Sequence, residues 1–475
     1  MNSVMKRILL LLLALVLGNG FYHAYKPLPP GISVAAPLRP VHDMEFLADH
    51  TWVDAEGERH TRQVIFDRVF ELIQGADRLL VLDMFLFNAM QETITETHRP
   101  LSRELTENLL QRMRDRPGLV TIIITDPFNN LYGGVAAPHL DALEAAGAHL
   151  VYTDLGRLRD PNPFWSAPWR LCCKWLGNST RGWLPNPVGE EAVTLRTYFA
   201  LLNLKANHRK TLVADDGDDW VALVTSANPH DASSAHVNTA VVFRGQAALD
   251  LLDTETAVIR FSAGQVPFEI PADQGAPAQS PLQARIITES RIREAALDTI
   301  QSAARGDRLD IAMFYFSHEA LIRAVKDASG RGVDVRILLD PNRDAFGREK
   351  SGIPNRQTGR RFHDSGIPVR WCRTTGEQCH AKQLVLERAD GQVVLITGSS
   401  NFTRRNLDDF NLETNVLVVG PADDPFLRAA LTWFEQRWRN EPDWQVSDPY
   451  DTWEDRSAVR SLRAWIGETL GWSSF

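Results

Sequence analysis

Lysine is scarce in this chain of 475 residues: eight occur, at positions 6, 26, 174, 205, 210, 326, 350 and 382. Arginine therefore carries most of the positive charge, and a lysine in a patterned place is informative. Runs of Lys and Arg are missing as well, and the formal net charge is −9. Proteins that grip nucleic acid through its phosphates ordinarily carry a basic stripe, so no nucleic-acid partner is expected. Cysteine is almost as sparse. Cys172, Cys173, Cys372 and Cys379 lack metal-ligand spacing and are too few for a disulfide framework. Cys372 and Cys379 suit either a disulfide in an oxidising compartment or two small buried residues. There is no His-Glu-x-x-His and no grouping of carboxylates at ligand spacing, so no metal or other cofactor is expected.

Long apolar runs are absent, with one exception. Lys6 and Arg7 precede ILLLLLALVL (residues 8–17), followed by Gly18, Asn19 and Gly20. This has the form of a secretory signal; counted on through Phe21, Tyr22 and Tyr25 it has that of an uncleaved anchor. Either way, the charges favour an N-terminus inside and a body outside the cytoplasm. KPLPPG (26–31) reads as a stiff extended tether within an N-terminal arm reaching to residue 59. Hydrophobic content of 44% and charged content of 23% describe a globular protein. Its length suits two domains of about 200 residues each.

The chain is written twice. ADRLLVLDMFLF (76–87) is matched by GDRLDIAMFYF (306–316), and VTIIITDP (120–127) by VDVRILLDP (333–341). Helical patterns lie between them, so strands alternate with helices as in an α/β fold with largely parallel sheets. HRKTLVAD (208–215) is matched by HAKQLVLE (380–387), and TSAN (225–228) by GSSN (398–401). The interval from His208 to Asn228 is 20 residues and that from His380 to Asn401 is 21. The first half also carries an insert, about 154–200, with Trp165, Trp169, Trp175 and Trp183. A linker rich in Pro, Gln and Ala (264–281) separates the first domain, 60–263, from the second, 282–440.

On a strand, residues i and i+2 share a face, so His208 and Lys210 project together, as do His380 and Lys382. Asp215 and Glu387 lie at odd spacing beyond their lysines and are placed to orient neighbours from a strand end. Ser226 with Asn228, and Ser399 with Asn401, repeat the i, i+2 logic at a loop start. One His-x-Lys is weak evidence; two, each with its Ser-x-Asn at the same distance, are not coincidence. Face to face, the halves offer two imidazoles, two ammoniums and two amides around one pocket, which suits a phosphodiester. One imidazole attacks phosphorus, and the other protonates the leaving oxygen and then deprotonates the acceptor. The lysines and asparagines hold the charge on the non-bridging oxygens.

These residues resemble the phospholipase D superfamily, over roughly residues 60–420. The resemblance implies two pseudo-twofold-related α/β sandwich domains, one shared site and a phosphohistidine intermediate. VTSANPHDASS and the long insert resemble bacterial membrane members related to cardiolipin synthases. Thr225 stands where the family has glycine, and Glu387 where it has aspartate. The family also places a carboxylate beyond each motif to hold a histidine; Glu413 fits that role, while the first half offers only Asn238. Family habit makes His208 the nucleophile and His380 the acid/base, whereas Glu413 in the second half argues the opposite. A phospholipid substrate, a membrane surface as partner and no obligate protein partner follow. A nuclease on the same scaffold and a non-catalytic lipid-binding protein are the alternatives.

Two further segments have no place in the repeat. The tryptophans of the insert suit a membrane interface, a cover over the pocket, or core. In the tail (441–475), Val459, Leu462, Ile466 and Leu470 fall on one helical face, suited to docking on the domain or to membrane contact. His230, Asp231 and His236 lie beside the first motif and are assigned no chemistry. His23, His42, His50, His60 and His98 read as ordinary polar positions, and Met84 and Met313 as core.

Overall fold

The computed structural model describes residues 3–91, 99–269, 280–345 and 348–473; His98 and most of the expected linker lie outside them. Seven strands form the sheet of the first half: β1 (His42–Ala48), β2 (Leu79–Met84), β3 (Val120–Thr125), β4 (His149–Tyr152), β5 (Lys210–Asp216), β6 (Asp219–Thr225) and β7 (Thr239–Arg244). Their order is β1-β7-β6-β5-β2-β3-β4. The second half repeats it with β8 (Gln283–Thr288), β9 (Arg308–Met313), β10 (Asp334–Leu339), β11 (Val369–Cys372), β12 (Lys382–Glu387), β13 (Gln392–Gly398) and β14 (Thr414–Pro421). The order there is β8-β14-β13-β12-β9-β10-β11, with residues 39–40 and 447–449 added at the edges.

Both sheets are mixed. Parallel pairing is confined to β2-β3-β4 and to β9-β10-β11, so the expectation of largely parallel sheets holds for three strands of each. Those strands are joined through helices that return the chain to the same sheet end. The motif strands are antiparallel to their neighbours because β5 turns directly into β6, through Gly217 at φ 62°.

Alternation along β2 explains the layering. Leu80, Leu82 and Met84 join the core beneath the helices of the outer face. Leu79 and Val81 face inward, where they join Leu395 and Val418 of the second sheet in one shared core around helix α3 (Gln246–Ala263), itself contributing Leu252 and Ile259. Both faces are thus covered, which is why β2 is buried at every residue. The N-terminal arm is extended and laced through both sheets: β1 pairs with β7, while Arg39 and Pro40 pair with β8.

The cysteines are bonded in two pairs, Cys172–Cys173 and Cys372–Cys379. The second ties the end of β11 to the residue before His380. Helix α1 (Ser3–Tyr25) leaves the body, and only its last turns pack, on helix α2 (Pro163–Cys172) of the insert. The C-terminal helix α5 (Ala458–Leu470) has no buried residue. Docking of its apolar face on the domain is therefore overturned: Val459 and Leu462 point outward, and the helix is held instead by Glu468, which accepts from the Arg404 amide at 2.7 Å.

Candidate active site

The register delivers the two motifs identically. Met84 pairs with Lys210 and Met313 with Lys382, so each lysine begins its strand beside the end of an antiparallel neighbour. Each histidine sits just before that strand and is tied by its backbone to the opposite half. The His208 amide donates to the Leu412 carbonyl and the His380 amide to the Val237 carbonyl, both at 2.8 Å. Each lysine folds back to donate to its own histidine's carbonyl at 2.6 Å.

Support of the imidazoles is also crossed between halves. His208 Nδ1 lies 3.0 Å from Glu413 Oε2, while His380 Nδ1 lies 3.1 Å from Asn238 Oδ1. The motif serines complete the pattern: Ser399 donates to Glu413, and Ser226 donates to Asn238 at 2.9 Å. Asn238 Nδ2 donates to the His236 carbonyl at 3.1 Å, which fixes the amide with its oxygen toward His380. In both rings Nδ1 is therefore the donor, and Nε2 is left with its lone pair toward the cleft. Glu413 thus serves the histidine of the other half, not its own.

The electrostatics separate the two rings. Burial pushes His208 down to about 4, although Glu413 opposes it. Burial also drives His380 well below its ordinary value, reinforced by Lys382, His236 and Lys210, with no anion among the leading influences. Burial would raise the Glu413 carboxyl, but His208, Lys210 and the Ser399 hydroxyl outweigh it and hold it at about 2. Burial lowers Lys210 to about 7 and Lys382 well below the usual amine range. The balance of charge around the two rings suits an anionic ligand.

Both histidines open on a cleft of about 540 Å³ that Asn228 and Asn401 also line. Its other walls are largely apolar, including Leu86, Phe128, Val188, Leu201 and Leu204, and it carries further cations in Lys205, Lys350 and Arg405. Among the described residues, no three His, Cys, Asp or Glu side chains converge as metal ligands would.

Asp215 and Glu387 are not brought to this cleft. Each sits five residues beyond its lysine, roughly 16 Å along the strand. Asp215 accepts from the amides of Arg78 and Leu79, each at 2.8 Å, and so ties the turn that starts β2. In the second half Asp307 binds the amides of Ala304 and Ala389, each at 2.9 Å, so Glu387 is spared that task. At the other departure, a side chain on Gly398 would meet the Thr414 carbonyl at 2.4 Å. Thr225 fits in the first half because its hydroxyl donates to the Thr239 carbonyl at 2.9 Å.

Four residues go unassigned in the motif reading. Asp126 accepts from the Asn207 amide, and Asp340 from the Cys379 amide, both at 2.7 Å; these are the residues just before the two histidines. Phe85 lies 4.9 Å from the His208 ring and Phe314 lies 4.8 Å from the His380 ring, each also beneath a motif lysine. The repeated Asp-Pro and Met-Phe pairs are their signal in the sequence.

The chain is similar to several known proteins. A family model described as cardiolipin synthase, PLD-like domain matches residues 296–438. Human mitochondrial cardiolipin hydrolase is 33% identical over 147 residues, 30% of this chain and 52% of that protein. The mouse protein of the same name is 31% identical over 174 residues, 37% of this chain and 67% of its own length. The chain thus spans between about half and two thirds of these relatives. The solved phosphatidylserine synthase of Haemophilus influenzae superposes with a TM-score of 0.58, covering 92% of this chain and 96% of that one. At 12% identity that likeness speaks for the fold alone.

Proposed function

We propose that this chain, which belongs to the phospholipase D superfamily, cleaves the phosphodiester of a membrane phospholipid and passes the phosphatidyl group to water or an alcohol. The observation that carries the reading is the crossed support of two imidazoles over one apolar-walled cleft. With the substrate anion bound, His380 Nε2 takes a proton from solvent; His208 Nε2 then attacks phosphorus, the bond to the leaving oxygen breaks, and His380 gives that oxygen the Nε2 proton. The phosphoryl-imidazolium on His208 carries positive charge, which the Glu413 carboxylate balances through Nδ1–H; this favours His208 as nucleophile. Water or an alcohol then gives its proton to His380 and attacks phosphorus, and the P–N bond breaks. His380 starts with a depressed affinity for protons, and the anion of the bound substrate restores it. Lys210, Lys382, Asn228 and Asn401 take the non-bridging oxygens, and the apolar walls take the top of the acyl region.

The names of the sequence relatives make cardiolipin a natural first substrate. The test is to incubate purified full-length protein with vesicles of cardiolipin or phosphatidylglycerol, with and without glycerol, and read the products by mass spectrometry. Hydrolysis or transfer by the wild type, abolished in His208→Ala and in His380→Ala, is expected. DNA cleavage without lipid turnover would transfer the reading to a nuclease, and turnover in either variant would sink the shared site.

A further inference from the structure

Among the described residues, every strongly exposed large hydrophobic side chain belongs to one of three segments: α1, the insert, or the C-terminal helix with the residues just after it. The rest of the described surface has none. Scattered exposed apolar residues need no explanation, but such segregation does.

The three segments are also joined. Asn19 of α1 donates to the Ala167 carbonyl of α2 at 3.0 Å, and the Asp160 amide donates to the His23 carbonyl at 2.9 Å. Gly471, after α5, is packed so closely on the insert that a side chain there would meet the Pro161 carbonyl at 2.0 Å. Its positive φ of 69° also favours glycine. The insert divides its tryptophans. Trp165 donates to the Phe199 carbonyl at 2.9 Å and Trp169 lies under Arg196, whereas Trp175 and Trp183 are 75% and 73% exposed. Trp465 and Trp472 at the C-terminal end are 60% and 48% exposed.

We infer that these segments form one bilayer-docking face that sets the mouth of the cleft against the lipid. The occupant is a bilayer because the face is continuous with α1, 23 residues long and apolar enough to cross a membrane. The hydrocarbon core takes about 30 Å of its length of about 34 Å, so the C-terminal end that packs on α2 sits toward the headgroup level. The insert is thereby held at the depth where tryptophan is favoured. The insert is also a wall of the cleft, through Pro187 and Val188, and Leu201 and Leu204 just after it continue that lining. Arg405, which also lines the cleft, donates to the Ser473 carbonyl at 3.2 Å. Lipid therefore reaches the histidines from the membrane side, without crossing water.

This surface stands on geometry and not on the chemistry proposed above, and its test needs no turnover. Helix α1 contains no tryptophan. Quenching by brominated lipid in the full-length protein therefore reports on the body alone. The protein is reconstituted in vesicles of phosphatidylcholine brominated near the top of its acyl chains, with unbrominated vesicles as reference. Four exposed tryptophans among thirteen should lower the emission about 1.3-fold. The quadruple variant Trp175→Phe, Trp183→Phe, Trp465→Phe, Trp472→Phe should lose that quenching. Unquenched wild-type emission would overturn the proposal, as would equal quenching of the variant. A face covered by a second copy of the chain would give the first of these results.

Discussion

The two halves present their histidines in the same geometry but support them from behind by opposite means. Behind His208 the inner face of the first sheet is charged. Arg209 is fully buried, with Glu289 at 2.8 Å and Glu255 at 3.4 Å, and Thr211 donates to Glu255 at 2.9 Å. Asn207 donates to Asp83 at 2.8 Å. The corresponding positions behind His380 hold Cys379, Ala381, Gln383 and Ala312. Here an apolar cluster with Trp433 and Phe434 surrounds the Cys372–Cys379 bond. The charged side reaches the site, since Glu289 also accepts the Glu413 amide at 3.0 Å. One backbone symmetry thus carries two electrostatic environments, an anion behind one imidazole and a neutral amide behind the other. Under the chemistry proposed above, such asymmetry would let equivalent side chains divide the labour of attack and proton transfer.

Breaking that asymmetry should have the largest effect. Glu413→Gln makes both imidazoles amide-supported and is expected to lower lipid turnover about 10²- to 10⁴-fold. It also removes the influence that raises His208, so the acid limb of kcat/KM moves to lower pH; an unchanged profile would dissociate Glu413 from His208. Arg209→Leu leaves Glu289 and Glu255 unpaired in the core, with an expected loss of about 3–5 kcal/mol in denaturant unfolding. The equivalent Ala381→Leu tests only packing and should cost about 1–3 kcal/mol.

Making the second histidine resemble the first is a milder change. Asn238→Asp should raise the proton affinity of His380, shift the alkaline limb of kcat/KM upward, and alter the rate about tenfold. Smaller still is the contrast at the strand ends. Asp215→Ala should cost about 1–3 kcal/mol of stability and spare turnover, whereas Glu387→Ala should stay within about 0.5 kcal/mol.

The charged side also predicts a pH response. His208 is depressed from 6.5 to about 4, so the unfolded chain binds its proton first as pH falls. Stability is therefore lost between pH 6.5 and about 4. Glu413, depressed from 4.5 to about 2, extends the loss over the range below. Thermal unfolding against pH checks both, and in Glu413→Gln the lower range should flatten.

The repeat made much of this legible. Matched strands, spacings and motifs are one-dimensional, so the succession of strands along the chain and the meeting of His208 with His380 can be read from them. Crossed support cannot be read this way, because residue spacing places Glu413 on a loop but not against a particular half. The part played by Asp126 depends on β2 lying between β3 and β5, which is a fact of sheet order. Asp215 looked like part of the motif because motif membership and nearness to the site coincide only over short spans of strand. The C-terminal helix leaves two readings open for another reason: an apolar face at helical spacing looks the same whether it meets protein or lipid.

The crossed support has a consequence for synthesis. His208 leaves the ribosome 205 residues ahead of Glu413, the group that orients its ring. Until the second half has been made and folded against the first, the first half holds a histidine with no partner at Nδ1. The geometry around His208 is therefore completed only when the second half folds against the first.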